Sequence, residues 1–309
     1  MATTNSITTT YSGEFAGDYI SAALLSGSTL DNGGITIKPN IKYKEVIKKI
    51  ATDSLVKPAS CDFDPTSQVV LTERIIQPTE LQVNLQLCKK DFHSDWEAAA
   101  QGYSAFDNLP PKFSDFLLSH VAAKVAQKTE QTIWSGAAAT AGEFAGFDEL
   151  MLADADVIDV ATVGGGVNSG NVIAQLGAIV DSIPSSLYTS EDMHIYISQN
   201  IARSYVRALG GFATNIGAAG VNQDGTQWYT GGTLSFDGIK LFVANGLADN
   251  HAVAAEKSNL YFGCGLLNDS NTVKVIDMAD IDGSQNCRVV MRYTAGVQYG
   301  IGSDIVLYS

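Results

Sequence analysis

Over residues 41–88 the hydrophobic and polar positions follow strand patterns for nearly fifty residues. The last part, Leu81-Gln82-Val83-Asn84-Leu85-Gln86-Leu87, alternates apolar and polar residues with period two, as a strand with one buried face must. The middle, residues 59–68, carries Asp62, Asp64 and Pro65 and reads as a turn between two strands. A two-stranded ribbon is marginal in water unless something covers it. The pattern therefore predicts a ribbon whose covering surface lies elsewhere, and another copy of the same chain can supply it.

Around this ribbon the pattern changes several times. Residues 1–34 are rich in Thr, Ser, Gly and Asn with one short apolar patch at 19–25, which predicts an arm lying on a surface. After a short helix-prone segment at 91–101, Pro110-Pro111 opens the clearest helix. Phe113, Leu117, Val121, Val125, Thr129 and Ile133 recur every four residues, while Lys112, Asp115, Lys124, Lys128 and Glu130 fall largely elsewhere around it. Gly136 suits a C-terminal cap. About 23 residues of helix would span roughly 35 Å.

Residues 143–159 hold Glu143, Asp148, Glu149, Asp154, Asp156 and Asp159 without a Lys or Arg. Beyond them an α/β pattern sets in: a helix over 171–183, a strand over 194–197, and a helix over 199–209 stopped by Gly210-Gly211. A polar, Gly-rich stretch at 212–232 is too long for a simple connector and predicts a contact or tip loop. Strands follow at 239–243, 272–276, 288–299 and 304–308, with Asp237-Gly238 and Asp282-Gly283 as turn residues. There is no internal repeat. The class is α+β, with one long helix packed on a mainly antiparallel sheet.

Charge narrows the function. The net charge of −14 is uneven: residues 135–309 hold 7 basic and 18 acidic side chains, residues 1–134 hold 12 and 15. Affinity for nucleic acid comes largely from Lys and Arg neutralising phosphates, so a sequence-reading DNA or RNA binder is not expected. The one basic cluster, Lys38, Lys42, Lys44, Lys48 and Lys49, lies in the ribbon region. It reads as a solvated strand face or as a patch complementary to an acidic neighbour. The N-terminus lacks the basic and apolar regions of a secretion signal, and no apolar run approaches the ~18 residues of a membrane span. Cys61, Cys88, Cys264 and Cys287 lie far apart and read as free thiols, without zinc spacing.

Chemical motifs are incomplete. Gly164-Gly165-Gly166-Val167-Asn168-Ser169-Gly170 precedes a helix and could present backbone N–H groups to phosphate. However, Ser169 replaces the third glycine of the dinucleotide fingerprint, no phosphate-loop Lys follows, and no acidic residue ends the next strand. A hinge with an Asn/Ser helix cap accounts for it better. Asp280-Ile281-Asp282-Gly283 resembles a calcium loop, but Met291 stands where the closing Glu belongs, so a hairpin turn is expected. Asp154 and Asp156 lack a His or fixed ligand spacing and read as a solvated face. His93, His120, His194 and His251 are scattered without partners for general-base work. Nothing near Cys264 would lower its pKa. No catalytic residue, cofactor or metal is expected.

A family resemblance gathers these pieces. Leu85-Gln86-Leu87-Cys88-Lys89-Lys90-Asp91-Phe92 with Asp95-Trp96-Glu97 is similar to the end of an extended loop, and residues 113–134, closed by Ile133-Trp134-Ser135-Gly136, to a spine helix. Asn259-Leu260-Tyr261-Phe262-Gly263 with Val273-Lys274-Val275, then Val289-Val290-Met291-Arg292-Tyr293 running to Ile305-Val306-Leu307-Tyr308, resemble late and closing strands. In this order the chain resembles the major capsid protein of tailed double-stranded DNA bacteriophages, the HK97-like fold. The likeness lies in order and loose patterns over most of the chain.

The resemblance implies an N-terminal arm at 1–35, an extended β-loop at 36–90, a peripheral domain with the spine helix at 91–160 and 269–309, and an axial domain at 161–268. It implies self-assembly into hexamers and pentamers of an icosahedral head, with arm and loop reaching onto neighbours. Tyr43, Lys44, Lys48, Asp62, Phe63, Asp64 and Pro65 are the expected inter-subunit contacts. Portal and scaffolding or decoration proteins are further implied partners. Double-stranded DNA would be enclosed without sequence-specific binding, with no membrane involved, in a virion assembled in the bacterial host cytoplasm. A fused scaffolding segment is not expected, because no charged coiled coil precedes the arm. Acidity suits a container wall that does not grip its DNA. Two alternatives stand beside this reading: an encapsulin-like cellular compartment, and a soluble α/β nucleotide-binding enzyme using residues 164–170.

Overall fold

In the computed structural model, which describes residues 28–52, 56, 58–59, 61, 69–88, 111–209, 221–222, 225–226, 234–265 and 274–309, the strands gather into two main sheets and a separate ribbon. The first part of the chain supplies α1 (Ser28–Asp31), β1 (Thr36–Lys38), β2 (Glu45–Thr52), β3 (Val69–Ile76), β4 (Thr79–Cys88), α2 (Pro111–Ser135) and α3 (Phe147–Leu152). The middle supplies β5 (Ile158–Val160), α4 (Val172–Asp181), β6 (Met193–Ile197), α5 (Gln199–Leu209), β7 (Val221–Asn222), β8 (Gly225–Thr226), β9 (Ser235–Phe236) and β10 (Ile239–Val243). The chain closes with β11 (Ala252–Glu256), β12 (Leu260–Cys264), β13 (Lys274–Asp277), α6 (Ala279–Asp282), β14 (Asn286–Tyr299) and β15 (Val306–Tyr308).

The first sheet is organised by β14, whose period-two pattern buries Cys287, Val289, Met291, Tyr293, Ala295, Val297 and Tyr299. On one edge β4 runs antiparallel to it from Asn286↔Cys88 to Ala295↔Thr79. On the other edge β13 pairs with its first half and β12 with its last, and β1 adds to β12 in parallel. The stretch expected as one ribbon thus has two fates. Only β2 and β3 form a free-standing pair, while the alternating segment 81–87 became a sheet strand because β14 offers it a ten-residue ladder.

The second sheet has the order β5-β15-β11-β6-β10-β9. Two of its five pairings, β10 with β6 and β15 with β5, are parallel and the other three are antiparallel, so this sheet is mixed with the expected antiparallel majority. Both of its faces are covered. Ile195, Ile197, Ala252, Ala254, Val306 and Tyr308 pack toward α4 and α5, whereas Tyr196, Val253, Ala255 and Leu307 belong to the core beneath α2 and α3. Double burial is why these strands read as unbroken apolar runs rather than alternation.

Trp134, near the end of α2, is fully buried with ring centroids 5.2 Å from Phe147 and 5.0 Å from Tyr196. Burial pushes the Tyr196 phenol well above its usual range, and its hydroxyl donates to the Gly34 carbonyl. Glu130, read from the sequence as lying off the apolar side, is 2 % exposed and turns inward. Gly136 is needed for close approach rather than for a left-handed cap. A Cβ there would stand 2.5 Å from the carbonyl oxygens of both Thr132 and Phe144. The turn at Asp237-Gly238 does behave as read, with both residues at positive φ between β9 and β10. Gly283 ends α6 in the left-handed region, before β14.

The arm patch at 19–25, the segment 91–101 and the ribbon tip with Asp62, Phe63, Asp64 and Pro65 lie outside the described residues. So does most of 212–232, apart from the short β7–β8 pair. Among the described residues, no helix is long and apolar enough to cross a membrane.

Candidate inter-subunit interface

The register of β2 and β3 sorts their side chains. Opposed residues of an antiparallel ladder share a face, so Val46/Ile75, Lys48/Glu73 and Ile50/Leu71 lie on one side, with Val69 following Leu71 on the same face of β3. There Ile50 and Leu71 are each 68 % exposed and Val69 64 %. The result is an apolar stripe crossed by a single opposite-charge pair, Lys48 and Glu73. Isolated exposed apolar residues are ordinary, but a contiguous stripe marks an interaction surface. Tyr43, Lys44 and Lys48 all sit exposed on or beside this ribbon, with the Lys44 ammonium 5.3 Å from the centre of the Tyr43 ring.

The ribbon is rooted by two kinds of contact. Ile76 is fully buried and, with Ile41, presses on Gly263 of β12; a Cβ at Gly263 would stand 2.6 Å from Ile76 Cδ1 and 2.8 Å from Ile41 Cδ1. On the same face of β3, two residues before Ile76, Arg74 also meets the body. Its Nε donates to the Gly300 carbonyl at 3.1 Å, its Nη2 pairs with Asp154, and its guanidinium lies 4.4 Å from the centre of the Tyr299 ring. Asp154 is held in turn by the Tyr299 hydroxyl at 2.8 Å and the Asp156 N–H at 3.1 Å. Partial burial would raise its pKa, but the Asp156, Tyr299 and Arg74 donors outweigh this and hold the carboxyl below its ordinary value. Burial and the bond to Asp154 push the Tyr299 phenol well up.

Between α2 and β4 runs an open groove of about 810 Å³. Val121, Lys124, Val125 and Lys128 form its helical wall, Leu81, Val83 and Leu85 its strand wall, and Tyr293 also lines it. Among the described residues β4 pairs only with β14, so its outer edge is an open one beside this groove. Such an edge invites another chain. The rim is held by Lys128, which pairs with Glu143; that bond and the Ala137 N–H lower the Glu143 pKa.

On the opposite side of α2, Glu130 receives the Thr29 N–H at 3.1 Å and the Thr29 hydroxyl, while Trp134 Nε1 donates to that hydroxyl at 2.8 Å. This fixes the point from which residues 1–27 depart. Glu130, Thr29, Arg74 and Asp154 are the residues that sequence reasoning missed. The only available signal was Glu130 standing one helical turn before Trp134.

The Gly-rich segment 164–170 is occupied by its own protein. The Val167 N–H donates to Asn250 Oδ1 at 2.7 Å, the Asn168 N–H to Asn171 Oδ1 at 2.7 Å, and the Gly170 N–H to Asn168 Oδ1 at 2.9 Å. Asn200 braces Asn250 through two further bonds of 2.8 and 3.0 Å. Donors already satisfied by asparagine side chains do not form a phosphate cradle. The Asn168 and Asn171 side chains brace the loop before α4, but Asn171 at the N-cap makes no side-chain bond to the helix N–H groups, so the expected Asn/Ser cap is not formed.

No protein-family model matches the chain, and no curated protein sequence does. Solved structures do. A chain of the capsid of an empty GTA particle superposes with a TM-score of 0.60 at 13% identity, covering 94% of this chain and 92% of that one. The capsid of Myoviridae phage XM1 gives 0.59 at 12% identity, with 94% of each chain covered. A chain from Mycobacterium phage Adephagia gives 0.59 at 14% identity, with 94% and 91% covered. With nearly whole chains superposed in each case, this protein is α+β and has the fold of phage capsid subunits.

Proposed function

We propose that the chain is a major capsid protein that self-assembles into the hexamers and pentamers of an icosahedral phage head. The observation that carries this is the exposed β2–β3 stripe on a body with the phage capsid fold. An apolar face left in water on a monomer gains its burial when a neighbour covers it, so its order is linked to assembly. The groove between α2 and β4 of the next copy has matching character: apolar walls, an open strand edge, and Lys124 and Lys128 to meet acidic groups. Tyr43, Lys44 and Lys48, together with the tip residues Asp62, Phe63, Asp64 and Pro65, are the contacts we assign to this interface.

In the same reading α2 is the spine helix, the first sheet with α2 forms the peripheral domain, and the second sheet with α4 and α5 forms the axial domain. Residues 36–44 and β4 belong with the body, so the extended loop is shorter than 36–90. A head shell encloses double-stranded DNA, and an acidic subunit leaves that DNA free to move. Portal, scaffolding or decoration proteins would complete the particle, assembled in the host cytoplasm. Repetition of one heterologous contact around an axis closes rings, and rings tile the shell.

Electron microscopy of the purified full chain tests this. Uniform icosahedral particles are the expected result. Deleting residues 59–68, the ribbon tip, should leave a soluble subunit that does not close shells; normal shells from that variant would remove the ribbon from the mechanism.

A further inference from the structure

The ribbon must not only exist but point correctly, and its root contains a device suited to that. We propose that Arg74 and Asp154 are positioning residues, a latch that sets the direction in which β2–β3 leaves the body. The inference rests on the capsid-subunit reading and adds to it the residues that aim the contact surface.

The two kinds of root contact differ in what they constrain. Ile76 and Ile41 against Gly263 hold the ribbon down, but apolar contact is non-directional and permits tilt. Arg74 is constrained three ways at once: Nε to the Gly300 carbonyl, Nη2 to Asp154, and its plane against the Tyr299 ring. A planar fork so held loses its rotational freedom. Its acceptor is equally fixed, since the Asp156 N–H and the Tyr299 hydroxyl hold the two Asp154 oxygens. The backbone also makes room for it: a Cβ on Gly302 would stand 2.8 Å from Asp154 Oδ2 and 3.3 Å from Arg74 Nη2. Gln298 adds one bond, Nε2 to the Ile75 carbonyl at 3.2 Å.

Leverage turns this local geometry into a consequence for assembly. From Arg74 to Val69 the strand runs about 17 Å, so a 10° tilt at the root displaces that end by about 3 Å. Gaps of even ~1 Å forfeit a large part of each dispersion contact. Ring closure multiplies the error, because a heterologous contact closes only at the correct angle. By contrast a partly exposed ion pair contributes little to folding stability, with a typical ceiling of about 1 kcal/mol. The latch therefore predicts altered geometry with nearly unaltered stability.

The test uses the full chain with Asp154→Asn, Arg74→Lys and Tyr299→Phe. Lysine keeps the charge but cannot bond Gly300 and Asp154 as a fork. Thermal unfolding should shift by less than about 4 °C. A spin label on the exposed Cys61 and a second at Asp181→Cys, in a Cys88→Ser background, report ribbon direction as a distance distribution in the unassembled subunit. Each variant should broaden or shift that distribution by several ångströms and give shells of mixed size or open sheets by electron microscopy. Asp154→Glu, which restores the carboxylate, should recover a narrower distribution and more closed shells.

An unchanged distance distribution in all three variants overturns the latch, as does a broadened one with shells like the wild type. If Asp154→Asn fails to fold, Tyr299→Phe, which removes one hydroxyl, carries the test. The wider reading fails separately. Normal shells from a chain whose stripe has been made polar, Ile50→Thr with Leu71→Thr, would refute ribbon docking itself.

Discussion

Replacing Ile50 and Leu71 together by threonine should raise the protein concentration needed for shell formation without unfolding the subunit. The two side chains face each other across the β2–β3 ladder and each is 68 % exposed. Full burial of such a side chain is worth ~1.5–3 kcal/mol. About two-thirds of that is still available on docking, or ~2–4 kcal/mol for the pair. Each subunit carries one ribbon, so the loss enters once per subunit added and weakens association by about 30- to 1,000-fold. Threonine keeps the strand preference, and substitutions at exposed positions usually change folding by no more than about 0.5 kcal/mol. Light scattering against protein concentration reads the assembly threshold, and urea unfolding of the dilute subunit reads stability. An unchanged threshold would show that the stripe is not buried on assembly. A large loss of subunit stability would show that it was already packed in the monomer.

Three further outcomes follow from the body of the subunit. Gly263→Val should destabilise by about 1–3 kcal/mol in urea unfolding, because its Cβ would overlap Ile76 and Ile41, both buried in the root. Glu130→Ala should lose ~2–4 kcal/mol, since the buried Thr29 N–H and hydroxyl lose their acceptor; limited proteolysis near Thr29 should speed up accordingly. His251 Nδ1 stands 3.1 Å from Asp148 Oδ2. Pairing with that carboxylate raises the His251 pKa against the opposing effect of burial. Its contribution is complete below the unfolded value of about 6.5 and fades as pH rises through the higher folded value. The melting temperature of the wild type should therefore fall more steeply than that of His251→Gln on going from pH 6 to 8, and parallel profiles would refute the pairing.

Local physics made much of this chain legible. Four-residue spacing marked the helix from Val121 to Ile133, strand signals over 288–299 marked β14, and Asp237-Gly238 marked a tight hairpin. The same patterning showed a strand pair with too little core. Periodicity encodes which face of an element is buried, and it does so without reference to a partner. That is enough to identify β2 and β3 as wanting a covering surface.

Partners were decided only when the chain closed on itself. Leu81 to Leu87 looks the same whether it pairs in a ribbon or with β14, some two hundred residues away; the ten-residue ladder with β14 settled it. Asp154 reads as a solvated charge in an acidic run until Arg74, 80 residues earlier, pairs with it. Glu130 reads as the polar side of a helix until Thr29, 101 residues earlier, is laid against it. A charged side chain in isolation is best left in water. Whether it turns inward depends on donors and acceptors brought by distant segments, and those distances are set by the tertiary fold alone.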